Sequence, residues 1–142
     1  MAGTNFDLGS VWLFSECSRN ELKAIQKKAE SMSVKAGTVV CDEGAVGLTF
    51  YFIVSGKATV IRNGRKAAEL DAGSYFGELA LLDRLPRSAT VKAATDMELL
   101  AIDQKDFNKI LKDSPSMVRK LLVATASRLR NSDAKALAAS VH

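Results

Sequence analysis

The hydrophobic pattern of the chain is helical at the start, alternating in the middle and helical again at the end. Met1 to Ser10 shows no periodicity and is expected to be loose, and Val11 to Phe14 is an apolar anchor. Ser18 and Glu21 have the spacing of a capping box, and one face of the following segment is apolar as far as about Glu30. This pattern predicts a first helix at about residues 18–30.

From Met32 onward, short apolar and β-branched runs alternate with glycines. The runs lie at residues 33–34, 39–41, 50–54, 58–61, 67–70 and 99–102, and a further strand-like run extends from Arg87 to Ala94. Asn63-Gly64 is a strong signal for a two-residue hairpin turn. Many short strands with glycine turns predict a mainly β fold, a closed β-barrel or jelly roll at about residues 32–103.

The helical period returns at Asp103. One segment runs to about Asp113, and Ser114-Pro115 then starts a second helix that continues to about Ala139. On this helix, small or apolar residues recur at spacings of four and three: Val118, Leu122, Thr125, Leu129, Ser132 and Ala136. Such a seam suits a partner helix, and packing of its first half against the chain's own barrel is an equally good interpretation.

Composition adds few constraints. The 142 residues predict one domain with a hydrophobic core, at about residues 11–139. The net charge of +4 comes from basic residues that are scattered along the chain, which is typical of a solvated surface. Cys17 and Cys41 are too few for a disulfide scaffold, so we expect reduced thiols and a cytoplasmic protein. No apolar run is long enough to span a membrane, and we do not expect the first residues to be a signal peptide.

Candidate chemistry is concentrated between Phe76 and Val91. Gly77 lets a ligand approach the backbone, and Glu78 to Leu82 can form one helical turn whose first amides have no internal partner. Those amides and the positive end of the turn form an anion site. A loop closed by Pro86 then leads to Arg87, whose planar fork can bond two phosphate oxygens.

Glu78 would repel a nearby phosphate, so its role needs another explanation. A carboxylate can accept a hydrogen bond from a sugar hydroxyl, and a 3′,5′-cyclic nucleotide presents a singly charged phosphate close to a ribose hydroxyl. The alternative is an ordinary surface ion pair between Glu78 and Arg87. The ordered string of Gly77, Glu78, Ala80, a proline-closed loop, Arg87, Ser88 and Ala89 is far more specific than such a pair.

That string closely resembles the phosphate-binding cassette of cyclic-nucleotide-binding domains, which occur in bacterial catabolite activator proteins, cyclic-nucleotide-dependent kinases and gated channels. The stretch from Val40 to Gly56 also resembles that family in its glycine spacing and its four-residue apolar strand. The resemblance extends from about Leu13 to about Ala136, and it implies an eight-stranded β-barrel or jelly roll with an N-terminal helix and C-terminal helices. At Leu48 many members carry an acidic residue, and we expect this departure to cost a local turn contact rather than binding.

The resemblance implies a role for each cassette residue. Arg87 would pair with the cyclic phosphate, together with the backbone amides of Leu79 and Ala80 and the hydroxyl of Ser88. Glu78 would bind the ribose 2′-hydroxyl. Gly77 would let the sugar lie close, and Ala89 would lie under the ligand.

The residues that contact the base are harder to assign. Val60 and Leu70 are candidate apolar walls, although core packing is the stronger interpretation for each. Matching Arg128-Leu129 to a basic-leucine pair of the family would place Asn131 and Ser132 near the base edge, although solvent-facing side chains are an equal alternative. Ser88 favours cAMP over cGMP, because guanine-preferring kinases of the family carry Thr there.

The leading hypothesis is a non-catalytic sensor whose ligand, cAMP or alternatively cGMP, shifts the terminal helices and so signals to an effector or across a homodimer. No metal or other cofactor is expected. A cupin-like metalloenzyme is the rival, but it needs two or three histidines and the chain has only His142. A ligand-less interaction module is a third reading. We expect no direct DNA binding, because no helix-turn-helix domain follows the last helix.

Overall fold

A computed structural model of the chain describes residues 11–77 and 86–141, without the side chains of residues 128, 129 and 131–141. A short 3-10 turn at Trp12–Phe14 precedes helix α1, Arg19–Lys28. Eight strands follow: β1 Glu30–Val34, β2 Val39–Cys41, β3 Thr49–Ser55, β4 Ala58–Arg62, β5 Arg65–Leu70, β6 Tyr75–Phe76, β7 Thr90–Ala93 and β8 Met97–Asp103. Two helices end the chain, α2 at Gln104–Asp113 and α3 at Pro115–Val141.

The strands form two four-stranded antiparallel sheets. The first has the order β1-β8-β3-β6 and the second the order β2-β7-β4-β5. The tight β4–β5 hairpin turns at Asn63 and Gly64, whose φ angles of 54° and 77° are the positive values that such a turn requires. The predicted mainly β fold of eight strands with flanking helices is confirmed.

Strand β3 has buried residues on both of its faces, and successive side chains of the strand point in opposite directions. Phe50 and Phe52 belong to an outer cluster that the helices cover, and the ring of Phe50 stacks on that of Phe107 in α2 at 4.8 Å. Tyr51 and Ile53 point the other way, into an inner cluster between the two sheets. Strand β3 therefore separates the helical layer from the interior of the barrel.

The helix ends follow the capping chemistry of the sequence. The capping box of α1 is present: Glu21 N–H donates to Ser18 Oγ at 3.1 Å, and Ser18 N–H donates to Glu21 Oε1 at 2.7 Å. Asp103 caps α2 through the N–H of Asp106 at 2.9 Å. Pro115 is the first residue of α3, as predicted.

Three local expectations differ from the structure. Strand β6 was missed, because a pair of aromatic residues shows no alternation. The run from Arg87 to Ala94 pairs as a strand only from Thr90 to Ala93. The first half of α3 packs through Met117 and Leu121, whereas Val118 and Leu122 of the predicted seam are exposed.

Candidate functional site

Arg87 is a buried cation whose fork is held by main-chain carbonyls. Only 8% of the residue is exposed. Its Nη2 donates to the carbonyl of Thr49 at 2.9 Å, and its Nη1 donates to the carbonyl of Gly77 at 3.2 Å. The strand β3 and the residue after β6 thus fix the plane of the guanidinium.

No carboxylate among the described residues forms an ion pair with Arg87. Two neutral carbonyls satisfy two of the five N–H donors of a guanidinium, but they do not neutralise its charge. A buried charge without a counter-ion is costly, so this position favours an anion.

Two glycines leave the space that the guanidinium occupies. A Cβ at Gly77 would lie 2.7 Å from Nη1 of Arg87 and 2.7 Å from the carbonyl oxygen of Thr49, and the φ of +90° at Gly77 also favours glycine. A Cβ at Gly47 would overlap the Nε, Cζ and Nη2 atoms of Arg87. The predicted role of Gly77 was close approach to a sugar, and here its missing side chain makes room for Arg87.

The main chain at Arg87 is bridged to the turn that precedes β3. The N–H of Arg87 donates to the carbonyl of Ala45 at 2.8 Å, and the N–H of Gly44 donates to the carbonyl of Arg87 at 2.8 Å. The two stretches that resemble the family are therefore joined at Arg87, although Ala45 and Arg87 are 42 positions apart in the chain.

The next two residues face opposite ways. The side chain of Ser88 is exposed, whereas Ala89 is buried at 8% exposure. The predicted place of Ala89 beneath a ligand stays a prediction. The exposed Ser88 hydroxyl is on the side open to solvent.

Val60 and Leu70 lie half-buried in the second sheet. Val60 pairs with Val91 and Leu70 with Ala58, and both pack against the inner cluster. Both of the interpretations drawn from the sequence, apolar wall and core packing, are compatible with this position. The stacked rings of Tyr51 and Phe76, with centroids 5.0 Å apart, lie on the same inner side.

Other predicted site residues lie outside the description. Glu78, Leu79 and Ala80 belong to the undescribed range 78–85. Asn131 and Ser132 lie on α3, but their side chains are among those not described. Their roles stay predictions.

The sequence analysis missed Gly47 and Thr49 as neighbours of Arg87. Gly47 was noted only as part of a glycine spacing, and Thr49 contributes a carbonyl that any residue would offer. Cys41 is also near this cation: burial raises the pKa of its thiol, and the charge of Arg87 opposes that rise. In the sequence, only the spacing of the glycines could have indicated the role of Gly47.

The described part of the chain contains no cluster of three or more His, Cys, Asp or Glu residues that could hold a metal ion. None of the helices described has both the length and the apolar character needed to cross a membrane.

Comparisons with known proteins place the chain in a family. The model of the family described as cyclic nucleotide-binding domain matches residues 31–114. A cyclic nucleotide-gated potassium channel of Rhizobium etli is 39% identical over 110 residues, which cover 78% of this chain and 31% of the channel. The chain spans between 10% and 31% of the length of the first curated relatives that it matches.

Solved structures agree with this assignment. The catabolite activator protein of Thermus thermophilus has a TM-score of 0.80 and 30% identity, covering 87% of this chain and 60% of that chain. The regulatory domain of Toxoplasma gondii PKA, crystallised with cAMP, has a TM-score of 0.76 and 25% identity, covering 88% of this chain and 48% of that one. Since the family match covers more than half of its residues, this chain belongs to the cyclic nucleotide-binding domain family.

Proposed function

We propose that this chain is a non-catalytic sensor that binds cAMP in preference to cGMP. The observation that carries the proposal is Arg87, a buried guanidinium that two carbonyls orient and that no described carboxylate neutralises. A cyclic phosphodiester carries one negative charge and two free oxygens, which a guanidinium fork can bind through two parallel hydrogen bonds. The bound phosphate would supply the missing counter-ion.

The rest of the cassette would complete the contacts. We assign the amides of Leu79 and Ala80 and the hydroxyl of Ser88 to the phosphate, and the carboxylate of Glu78 to the ribose 2′-hydroxyl. The close approach permitted by Gly77 and the buried methyl of Ala89 are consistent with a ligand in this place.

The base would lie along the apolar inner face of the second sheet. Val60 and Leu70 are half-buried there and are the proposed walls. Asn131 and Ser132 of α3 are the proposed contacts to the base edge, where an amide or hydroxyl would meet the exocyclic amine of adenine.

The preference for cAMP has two supports. The first is Ser88, in a family whose guanine-preferring kinases carry Thr. The second is the ligand of similar proteins: the Toxoplasma gondii PKA domain was crystallised with cAMP, and a Schizosaccharomyces pombe relative, 34% identical over 113 residues, is a cAMP-dependent protein kinase regulatory subunit.

The proposed output is a shift of the terminal helices. A ligand can bias such a shift only through different affinities for the two arrangements. Met117 and Leu121 attach α3 to the outer cluster, and Val118 and Leu122 of the seam remain exposed at 38% and 66%. That exposed side of α3 is the proposed contact with a second copy of the chain or with an effector.

A cytoplasmic location is supported by two free cysteines.

Calorimetric titration of purified protein, stripped of carried-over nucleotide, tests the ligand. We expect saturable binding of cAMP, weaker binding of cGMP, and still weaker binding of 5′-AMP, whose opened phosphate has a different charge and shape. Equal affinity for cAMP and 5′-AMP, or no heat with either cyclic nucleotide, would contradict the proposal. Light scattering with and without cAMP tests the dimer, which is ruled out if the mass stays monomeric.

A further inference from the structure

The tip of the β4–β5 hairpin contacts two chain segments that are distant in sequence. The N–H of Asn63 donates to Glu43 Oε1 at 2.9 Å, and Arg62 Nε donates to the carbonyl of Ser88 at 3.1 Å. Glu43 is tied a second time, since its own N–H donates to Thr90 Oγ1 at 3.0 Å. These hydrogen bonds connect the hairpin tip with both neighbouring segments.

The contacted residues immediately flank the main-chain bridge of Arg87. Glu43 precedes Gly44, whose N–H bonds the carbonyl of Arg87, and Ser88 follows Arg87. The hairpin tip, the turn before β3 and the residues at Arg87 thus form a closed ring of hydrogen bonds. Arg87 is itself a member of this ring, between Gly44 and Ser88.

Arg87 depends on these bonds because it is not part of a sheet. Residues 86 and 87 belong to no strand, and β7 begins only at Thr90. An anion-binding fork must be held to within a fraction of an ångström to keep both of its bonds, and neighbouring hydrogen bonds are what provide that precision.

We propose that Glu43 and Arg62 are positioning residues for Arg87, and that the hairpin tip thereby sets the affinity of the site for the phosphate. Neither side chain needs to touch the ligand. The effect on affinity rests on the proposed function, whereas the effect on the guanidinium does not.

Four variants separate this role from general support of the hairpin. Glu43→Ala removes the acceptor for Asn63, whereas Glu43→Gln keeps an amide oxygen there. Arg62→Ala removes the bond to Ser88. Glu69→Ala is the matched control, because it breaks the exposed Lys66–Glu69 pair at 3.0 Å on the same hairpin and contacts nothing near Arg87.

Two readouts are needed. The first is the NMR signal of the Arg87 Nε–H group in ligand-free protein, assigned by its loss in Arg87→Ala. The second is the dissociation constant for cAMP by calorimetry, at low and high salt, because salt screens the long-range attraction of Arg62 but not a lost hydrogen bond.

We expect Glu43→Ala and Arg62→Ala to shift the Arg87 signal and to weaken cAMP binding about three- to tenfold at both salt concentrations, the size of one hydrogen bond. Glu43→Gln and Glu69→Ala should leave both readouts near wild type. An unmoved signal in Glu43→Ala and Arg62→Ala, or equal losses in all four variants, would overturn the inference. If the wild type binds no cyclic nucleotide, the proposed function fails, and the signal alone still decides the positioning.

Discussion

The described part of the molecule holds two buried cations whose partners differ. Lys120, 7% exposed, donates to Ser15 Oγ at 2.8 Å, lies 3.5 Å from Glu16 Oε2 and sits 4.5 Å from the centre of the Trp12 ring. Arg87, 8% exposed, has two carbonyls and no described carboxylate. Among the described residues, the lysine therefore has a carboxylate partner and the arginine has only carbonyl partners.

We interpret the difference as one between a structural cation, Lys120, and a cation that we propose binds the ligand, Arg87. Lys120 attaches α3 to the N-terminal turn, where an ion pair and a cation–π contact both offset the cost of burial. Arg87 has its geometry fixed without losing its charge. Burial alone would not have distinguished the two residues, whereas the identity of their partners does.

The largest expected effect comes from removing the available charge. Arg87→Ala should weaken cAMP binding about 30- to 4,000-fold, because truncating one member of a buried charge pair costs about 2–5 kcal/mol. Arg87→Lys keeps the charge but not the planar fork, so its affinity for cAMP should lie between those of the wild type and Arg87→Ala. Calorimetry measures both, and wild-type affinity in Arg87→Ala would break the comparison.

The neutralised cation should behave in the opposite way. Lys120→Met keeps an apolar stem and removes the bonds to Ser15 and Glu16, so we expect it to lower the free energy of unfolding by about 1–3 kcal/mol. Its affinity for cAMP should change far less than that of Arg87→Ala. Denaturant unfolding and calorimetry on the same sample check this pair of outcomes. Unchanged stability together with lost binding would reverse the assignment.

The variant Gly47→Val fills the space that the guanidinium of Arg87 occupies. In Gly47→Val the new side chain would occupy the position of the Arg87 guanidinium, so cAMP binding should weaken about tenfold or more as the fork is displaced. Gly37→Val is the control for strain, because its φ of +91° is positive, no atom lies within 4 Å of its added Cβ, and its N–H bonds the carbonyl of Ala93 rather than that of Arg87. Binding losses of equal size in the two variants, by calorimetry, would show that turn strain and not the guanidinium is responsible.

The smallest expected effect is a loss of stability at low pH that depends on Glu21. Hydrogen bonds from the Ser18 backbone and then the Ser114 side chain hold the pKa of Glu21 below its usual value of about 4.5. Because the folded-state pKa is lowered, the stabilisation exists above the unfolded pKa and is lost as the pH falls through the folded value. Thermal melts from about pH 6 down to about pH 3 should show a slightly larger loss for wild type than for Glu21→Gln. Parallel curves for the two proteins would exclude this contribution.

Much of the fold could be predicted from local signals. Alternation located most strands, Asn63-Gly64 located a hairpin, and the capping residues located the helix starts. Strand β6 and the unpaired residues before Thr90 could not be predicted in this way, because a two-residue strand has no period and pairing depends on distant partners.

The site was predicted to a lesser degree, for the same physical reason. The position of Arg87 follows from a motif, but its contacts with Thr49 and Gly47 join segments about 40 residues apart. Lys120 looked like one more surface lysine, because its partner Ser15 is 105 residues away in the chain. The seam on α3 did not indicate which residues attach the helix to the barrel, since Met117 and Leu121 pack there while Val118 and Leu122 of the seam are exposed.

The position of strand β3 has a mechanical consequence. Its seven residues form the wall between the outer cluster under the helices and the inner cluster between the sheets. Phe50 and Phe52 pack against the helices, whereas Tyr51 and Ile53 face the inner cluster between the two sheets. The proposed position of the nucleotide base is on that inner side. Protein interiors are nearly incompressible, so a tilt of this wall toward one cluster must be matched by repacking in the other.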